Sequence, residues 1–188
     1  AQLINKAERP LIMAGHGGLI SYTHSLVIEI AEKAQIPVIT TLLGISSIPS
    51  DHELNLGMSG MHGMAYNNLA IDEADLIIGL GMRFDDRVTG RISAFAPNAK
   101  FIHVDIDASE VDKNIQTAVG IVGNLKAVLG QLLPKVEANV HIDWLRRINE
   151  LKSEHPSHVV RESDELLPQF VLKRLTEVTQ GRGIVVTG

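Results

Sequence analysis

The apolar runs Pro10–Ala14, Pro37–Thr41, Leu76–Leu80, Phe101–Ile106 and Val119–Val122 end in glycine or polar residues, and stretches with helical spacing separate them. That alternation predicts βαβ units feeding a mostly parallel sheet. Leu26, Val27, Ile30, Ala31 and Ala34 recur at helical spacing, so a helix over Thr23–Ala34 covers the sheet, and Pro37 then restarts extended chain. A further helix is expected over Met64–Ala74. Asp107-Ala-Ser-Glu110 reads as a capping box opening a short helix, and Asn124 caps another that runs to about Val136.

Parallel strands joined by right-handed crossovers present all their carboxyl ends along one edge, where open α/β sheets bind ligands in a crevice. That edge collects Gly15, Thr41, Gly81, Asp105 and Gly123. Past Val136 the pattern changes: Asp143–Leu151 is helical around Trp144, Leu145 and Ile148, and the polar stretch Lys152–Asp164 with Pro156 reads as a linker. A helix over Leu167–Val178, Gly181 and an apolar strand Ile184–Val186 then begin another βα unit. The expected organisation is a domain over 1–140, an interdomain linker with a helix over 141–164, and the start of a second domain over 165–188.

Composition narrows the function classes. At 188 residues and 45% hydrophobic content the chain supports one domain with a real core plus extra material. Seventeen basic against 22 acidic residues give a net charge of -5, which offers no field for a nucleic acid backbone. The absence of cysteine removes disulfides, thiolate metal sites and cysteine nucleophiles, and is consistent with a cytoplasmic setting. No apolar run approaches the roughly 20 residues that cross a bilayer. The start at Ala1 rather than Met suggests an excised piece. Motifs for hydrolysis, phosphoryl transfer or zinc binding are missing, and His155 and His158 read as a solvated linker pair.

The strand edge therefore looks built to bind. Gly15-His16-Gly17-Gly18 follows the first strand, where backbone amides can hold a phosphate, although the same glycines equally suit a tight turn. A dinucleotide fingerprint would place an acid at the end of the second strand, and Thr41 stands there instead, which disfavours NAD in the usual Rossmann pose. Gly57-Met58-Ser59-Gly60-Met61-His62-Gly63 allows close backbone approach to a flat ring, with His62 able to donate to its edge; the plainer reading is a glycine-rich loop with core methionines and a satisfied histidine. Arg83-Phe84-Asp85-Asp86-Arg87 packs two guanidinium forks and two carboxylates beyond the third run, suited to phosphate and ribose, or to pairing among themselves. Asp105 stands where an acid commonly accepts from adenosine ribose, while Asp107 suits the helix-start role.

Taken in order, the Gly15–Gly18 turn, Thr41–Gly44, Leu56–His62 with Gly63, Arg83–Gly90 and His103–Asp107 resemble the central domain of thiamine diphosphate enzymes, and within them the biosynthetic acetolactate synthase (acetohydroxyacid synthase) catalytic subunit family. The resemblance spans nearly the whole chain. It implies a Rossmann-like parallel sheet with helices on both faces, of the DHS-like NAD/FAD-binding type, carrying FAD in an extended pose. By the same resemblance Gly15, His16, Gly17, Thr41 and Leu42 line the cofactor and Gly60, Met61 and His62 lie near the flavin. Gly81, Met82, Arg83, Asp85, Arg87 and Val88 contact it, and Asp105, Ile106, Gly123 and Asn124 take the adenosine side. Asn124 departs from the aspartate common in the family and keeps an acceptor there. Asp86 and Arg87 match the mouth of the substrate channel.

The family condenses two pyruvates, or pyruvate with 2-oxobutyrate, with loss of carbon dioxide, for branched-chain amino acid synthesis. Its thiamine diphosphate and Mg2+ sites lie in other domains, so this chain alone is expected to be catalytically silent and to hold no metal. Implied partners are the other domains of the same subunit, a second catalytic subunit and a regulatory small subunit, with neither nucleic acid nor membrane involved. The competing readings are a flavin-free spacer or assembly domain of another thiamine diphosphate enzyme, such as a 2-oxoacid decarboxylase, and a NAD-dependent enzyme or deacylase on the same sheet.

Overall fold

The computed structural model describes residues 1–156 and 165–186. It divides into two compact units, Ala1–His155 and Pro156–Gly188. In chain order the first unit holds α1 (Gln2–Lys6), β1 (Pro10–Ala14), α2 (His16–Ile20), α3 (His24–Ala34), β2 (Val38–Thr40) and β3 (Asn55–Met58). It continues with α4 (Ala65–Glu73), β4 (Leu76–Leu80), α5 (Asp86–Thr89), β5 (Lys100–Asp105), β6 (Val119–Val122), α6 (Leu125–Leu132) and α7 (Ile142–Glu154). The second unit contributes α8 (Pro168–Thr179). Residues 157–164 of the expected linker, His158 among them, lie outside the described residues. Among the described residues no helix is long and apolar enough to cross a membrane.

The six strands form one parallel sheet in the order β3-β2-β1-β4-β5-β6. The order reverses between β1 and β4, so the loops leaving these neighbours diverge and open a crevice at their carboxyl ends. Side chains along each strand alternate between the two faces. Ile12, Ala14, Val38, Ile78, Leu80, Ile102 and Val104 meet α3 through Val27, Ile30, Ala31 and Ala34, and α6 through Leu125 and Leu129. Leu11, Met13, Ile39, Ile77 and Phe101 point the other way, against Tyr66, Ala70 and Ile71 of α4 and Trp144, Ile148 and Leu151 of α7. Each such side chain contributes about 1.5–3 kcal/mol when buried, which is why the central strands β1 and β4 carry apolar runs along their whole length.

Four of the expected elements differ in extent or kind. The strand β3 was expected as part of a glycine-rich loop: Gly57 sits at φ +86, the β2–β3 register shifts between Val38 and Ile39, and Leu56 is the buried residue of this edge strand, so no apolar run marks it. The capping box at Asp107–Glu110 opens turns rather than a helix. Asp107 accepts from the Ser109 amide at 2.9 Å, but Glu110 pairs with Lys113 at 2.8 Å, and Asp112 takes the left-handed region at φ 59. The helix begun by Asn124 ends at Leu132, because Pro134 lacks the amide for the next helical bond, and a 3-10 turn over Leu133–Lys135 follows. Ile184–Val186 forms no strand; Ile184 and Val186 are exposed, with no neighbouring strand to pair with among the described residues.

The helix expected inside a linker is instead packed on the first unit. The Trp144 indole is buried and its Nε1 donates to the Pro10 carbonyl at 3.0 Å. Arg147 of α7 pairs with Glu73 of α4 at 2.8 Å, and those donated bonds hold the Glu73 carboxyl below its ordinary range. The first compact unit thus includes α7 and runs to His155.

Candidate functional site

The crevice is built by backbone packing that side chains would prevent. The Gly15 amide donates to the Leu80 carbonyl and the Gly17 amide to the Gly81 carbonyl, both at 2.9 Å, lacing the end of β1 to the end of β4. A Cβ on Gly15 would collide with the Gly81 carbonyl oxygen and stand 2.5 Å from Met82 Cβ, and one on Gly17 would stand 2.7 Å from Gly81 Cα. The glycines thus serve close approach, and these two amides are already spent within the fold rather than free for a phosphate. The turn leads straight into α2, so a short helix precedes the one expected from Thr23.

On the β3 side, the Asn68 amide brackets Gly60, accepting from its N–H at 3.0 Å and donating to its carbonyl at 3.1 Å. The Met61 amide donates to the Arg87 carbonyl at 3.1 Å, fixing this loop against α5. Met61 is 65% exposed and His62 is exposed as well, so the plainer reading of core methionines and a satisfied histidine does not describe this loop.

Beyond β4 the chain forms a strap over Gly81–Asp85 in which Met82 and Phe84 turn inward and Arg83 and Asp85 outward. Arg83 Nη2 lies 3.4 Å from Asp85 Oδ2, with the guanidinium 67% exposed, a weak pair that a ligand anion can replace. Asp85 also accepts from the Arg87 amide at 3.2 Å, capping α5. At the end of β5, Asp105 is largely buried and accepts from the Asp107 amide at 2.9 Å. Ser109, donating from its hydroxyl and its amide, holds the Asp107 carboxyl below its ordinary range, which keeps this corner anionic.

These elements enclose a groove of about 800 Å3, within the range of small-molecule and cofactor sites. His16, Thr41, Leu42, Met61 and His62 line one part; Gly81, Met82, Arg83, Asp85, Arg87, Val88 and Asp105 line the rest. Gly15, Gly17 and Gly60 stand directly behind the lining as contacts between backbones. Ile106, Gly123 and Asn124 lie outside it: Ile106 is 71% exposed, and the Asn124 side chain is committed to the α6 cap, accepting from Lys126 and Ala127 amides. Asp86 faces an adjoining recess of about 530 Å3 shared with Asp72, Arg87 and Arg91. An apolar cavity of about 550 Å3 against β4, β5 and β6 has few polar groups converging on it.

Leu43, Met58 and Ser59 also line the groove and were not assigned from sequence. All three fall inside segments already singled out, so position, not residue type, was their signal. The Ser59 Oγ is buried with no hydrogen-bond partner, a state shared among described side chains with Ser47 Oγ and Asn67 Oδ1. Among the described residues no cluster of His, Asp or Glu could hold a metal ion.

Residues 1–132 match the family model described as thiamine pyrophosphate enzyme, central domain. The acetolactate synthase large subunit of Porphyra purpurea is 42% identical over 186 residues, covering 96% of this chain and 32% of that protein. The probable acetolactate synthase large subunit of Methanocaldococcus jannaschii is 45% identical over 181 residues, covering 95% and 31%. The large subunit of Lactococcus lactis is 42% identical over 188 residues, covering 98% and 32%. The chain spans about a third of the length of these relatives.

Proposed function

Because the chain belongs to the thiamine pyrophosphate enzyme central-domain family, we propose that it is the FAD-binding middle segment of an acetolactate synthase large subunit. The observation that carries this reading is the groove at the reversal of strand order, with Arg83 and Asp105 both in its lining. Arg83 and Arg87 present cations to a diphosphate, and the Asp105 carboxylate accepts from ribose hydroxyls. Leu42, Met58, Met61 and Val88 supply an adaptable apolar surface for a flat ring. The orphaned Ser59 hydroxyl fits a polar edge of that ring. Thr41, not an acid, follows β2, which fits FAD better than NAD in the usual pose.

The flavin in this reading undergoes no net redox change and helps to shape an active site completed by other domains. Thiamine diphosphate and Mg2+ would be held outside this chain, and Asp86 with Arg87 would stand at the mouth of the substrate channel. The parent enzyme would join two pyruvates, or pyruvate with 2-oxobutyrate, with decarboxylation, in the cytoplasm. It would work as a dimer of catalytic subunits with a regulatory subunit.

Titration of the 188-residue chain with FAD, followed by quenching of flavin fluorescence, tests the assignment. Saturable binding is expected, and Arg83→Ala should weaken it by about 1.5–3 kcal/mol, roughly tenfold or more, as for loss of a charged hydrogen bond. Unquenched flavin at every concentration would leave only a flavin-free central domain.

A further inference from the structure

The strap that carries Arg83 is held by its carbonyls. Gly81 O accepts from the Gly17 amide at 2.9 Å, Met82 O from His103 Nε2 at 2.7 Å, and Phe84 O from Asn114 Nδ2 at 2.8 Å. His103 is 1% exposed and its ring meets Phe84 edge-on, with centroids 5.0 Å apart. Gly79, paired in register with His103, leaves the room that both rings need: a Cβ there would stand 2.8 Å from Phe84 Cζ. A carbonyl can only accept, so Nε2 must carry the proton and the tautomer is fixed. Two residues along the same face of β5, Asp105 Oδ2 lies 4.0 Å from that nitrogen.

We infer that His103 is a positioning residue for the groove: its Nε2–H fixes the Met82 carbonyl and thereby aims the next side chain, Arg83, at an anionic ligand. His103 does not itself line the groove, so it acts through Arg83. The inference rests on the groove being the FAD site, and it deepens that reading by naming what presets the cation before ligand arrives.

The test is a mutant cycle on FAD affinity in the full chain. His103→Phe keeps an aromatic ring against Phe84 but loses the donor, and should weaken FAD binding about tenfold. His103→Gln, whose amide can reach the Nε2 position, should restore most of it. In an Arg83→Ala background His103→Phe should cost little more, because the residue through which it acts is gone. A full additional loss in that background, or unchanged affinity in His103→Phe alone, overturns the inference. Amide hydrogen exchange in the ligand-free chain supplies an arm that needs no flavin: His103→Phe should speed exchange at Gly17 and Gly81, whose bonds pin the strap. If wild-type chain fails to bind FAD, the flavin reading falls, while unchanged exchange at those amides overturns the role of His103 separately.

Discussion

Replacing Trp144 with alanine is expected to lower the stability of the first unit by about 3–5 kcal/mol, the range for truncating a buried tryptophan. The indole is 2% exposed among Leu11, Tyr66, Ile77 and Phe101 on the face that α7 covers, and its Nε1 donates to Pro10 O at 3.0 Å. Truncation opens a cavity and strips the Pro10 carbonyl of that donor. Trp144→Phe, which keeps most of the volume, should cost much less. Urea denaturation followed by far-ultraviolet circular dichroism reads both, since Trp144 is the one tryptophan and its fluorescence disappears with it. A loss under about 1 kcal/mol would mean that α7 is a peripheral tether and that the first unit ends near residue 140 after all.

Gly15→Ala should damage the groove through a single added methyl. The added carbon would meet Gly81 O, Met82 Cβ and Met82 Cα, the last two at 2.5 and 2.8 Å. These are atoms at or beside the main chain, with no rotamer to escape through. Relief requires the ends of β1 and β4 to part, breaking the Gly15–Leu80 bond at 2.9 Å. Overpacking of this kind costs about 1–3 kcal/mol, occasionally more, and the displaced strap should lower FAD affinity at least about tenfold. Gly130→Ala is the matched control: apart from the adjoining turns of its own helix, no atom lies within 4 Å of a Cβ there, and the residue is inside α6. It should stabilise by about 0.5–1 kcal/mol through helix propensity. Opposite signs for one chemical change, read by thermal or urea denaturation, would separate close approach from conformational entropy; a neutral Gly15→Ala would contradict the packing.

Much of this architecture is legible in the residues because burial on both faces forces continuous apolar runs, as in β1 and β4, while β5 keeps Phe101, Ile102 and Val104 around the buried His103. What is not legible depends on partners far along the chain. Edge strand β3 pairs only with β2, through an irregular register at Gly57, and carries no run of its own. α7 shows its apolar stripe in sequence, but that Trp144 reaches Pro10 O, 134 residues away, is a tertiary fact. Asp107 carries the signature of a helix start, yet the chain beyond it is claimed by the Asp112–Thr117 bond at 2.7 Å and enters β6 by turns.

The site divides in the same way. Glycines and charged residues gathered at strand ends mark the groove, since close approach and ion recognition demand those residue types. Asn124 carries a signal that serves two roles: its acceptor is equally what a helix start requires, and it caps α6. Ser59 and Met58 carry no distinctive chemistry, and only the fold brings them to the lining. The direction of Arg83 is likewise invisible in sequence, because it is set by His103, 20 residues on.

The most direct test of the central claim is a two-dimensional amide spectrum of the isotopically labelled chain as FAD is added. Shifts should concentrate at Thr41–Leu43, Met58–His62, Gly81–Val88 and Asp105, the segments that line the groove, and leave α3 and α6 unmoved. A spectrum unchanged by FAD, or one that moves along α6 and β6 while the Gly81–Val88 segment stays still, would contradict the account.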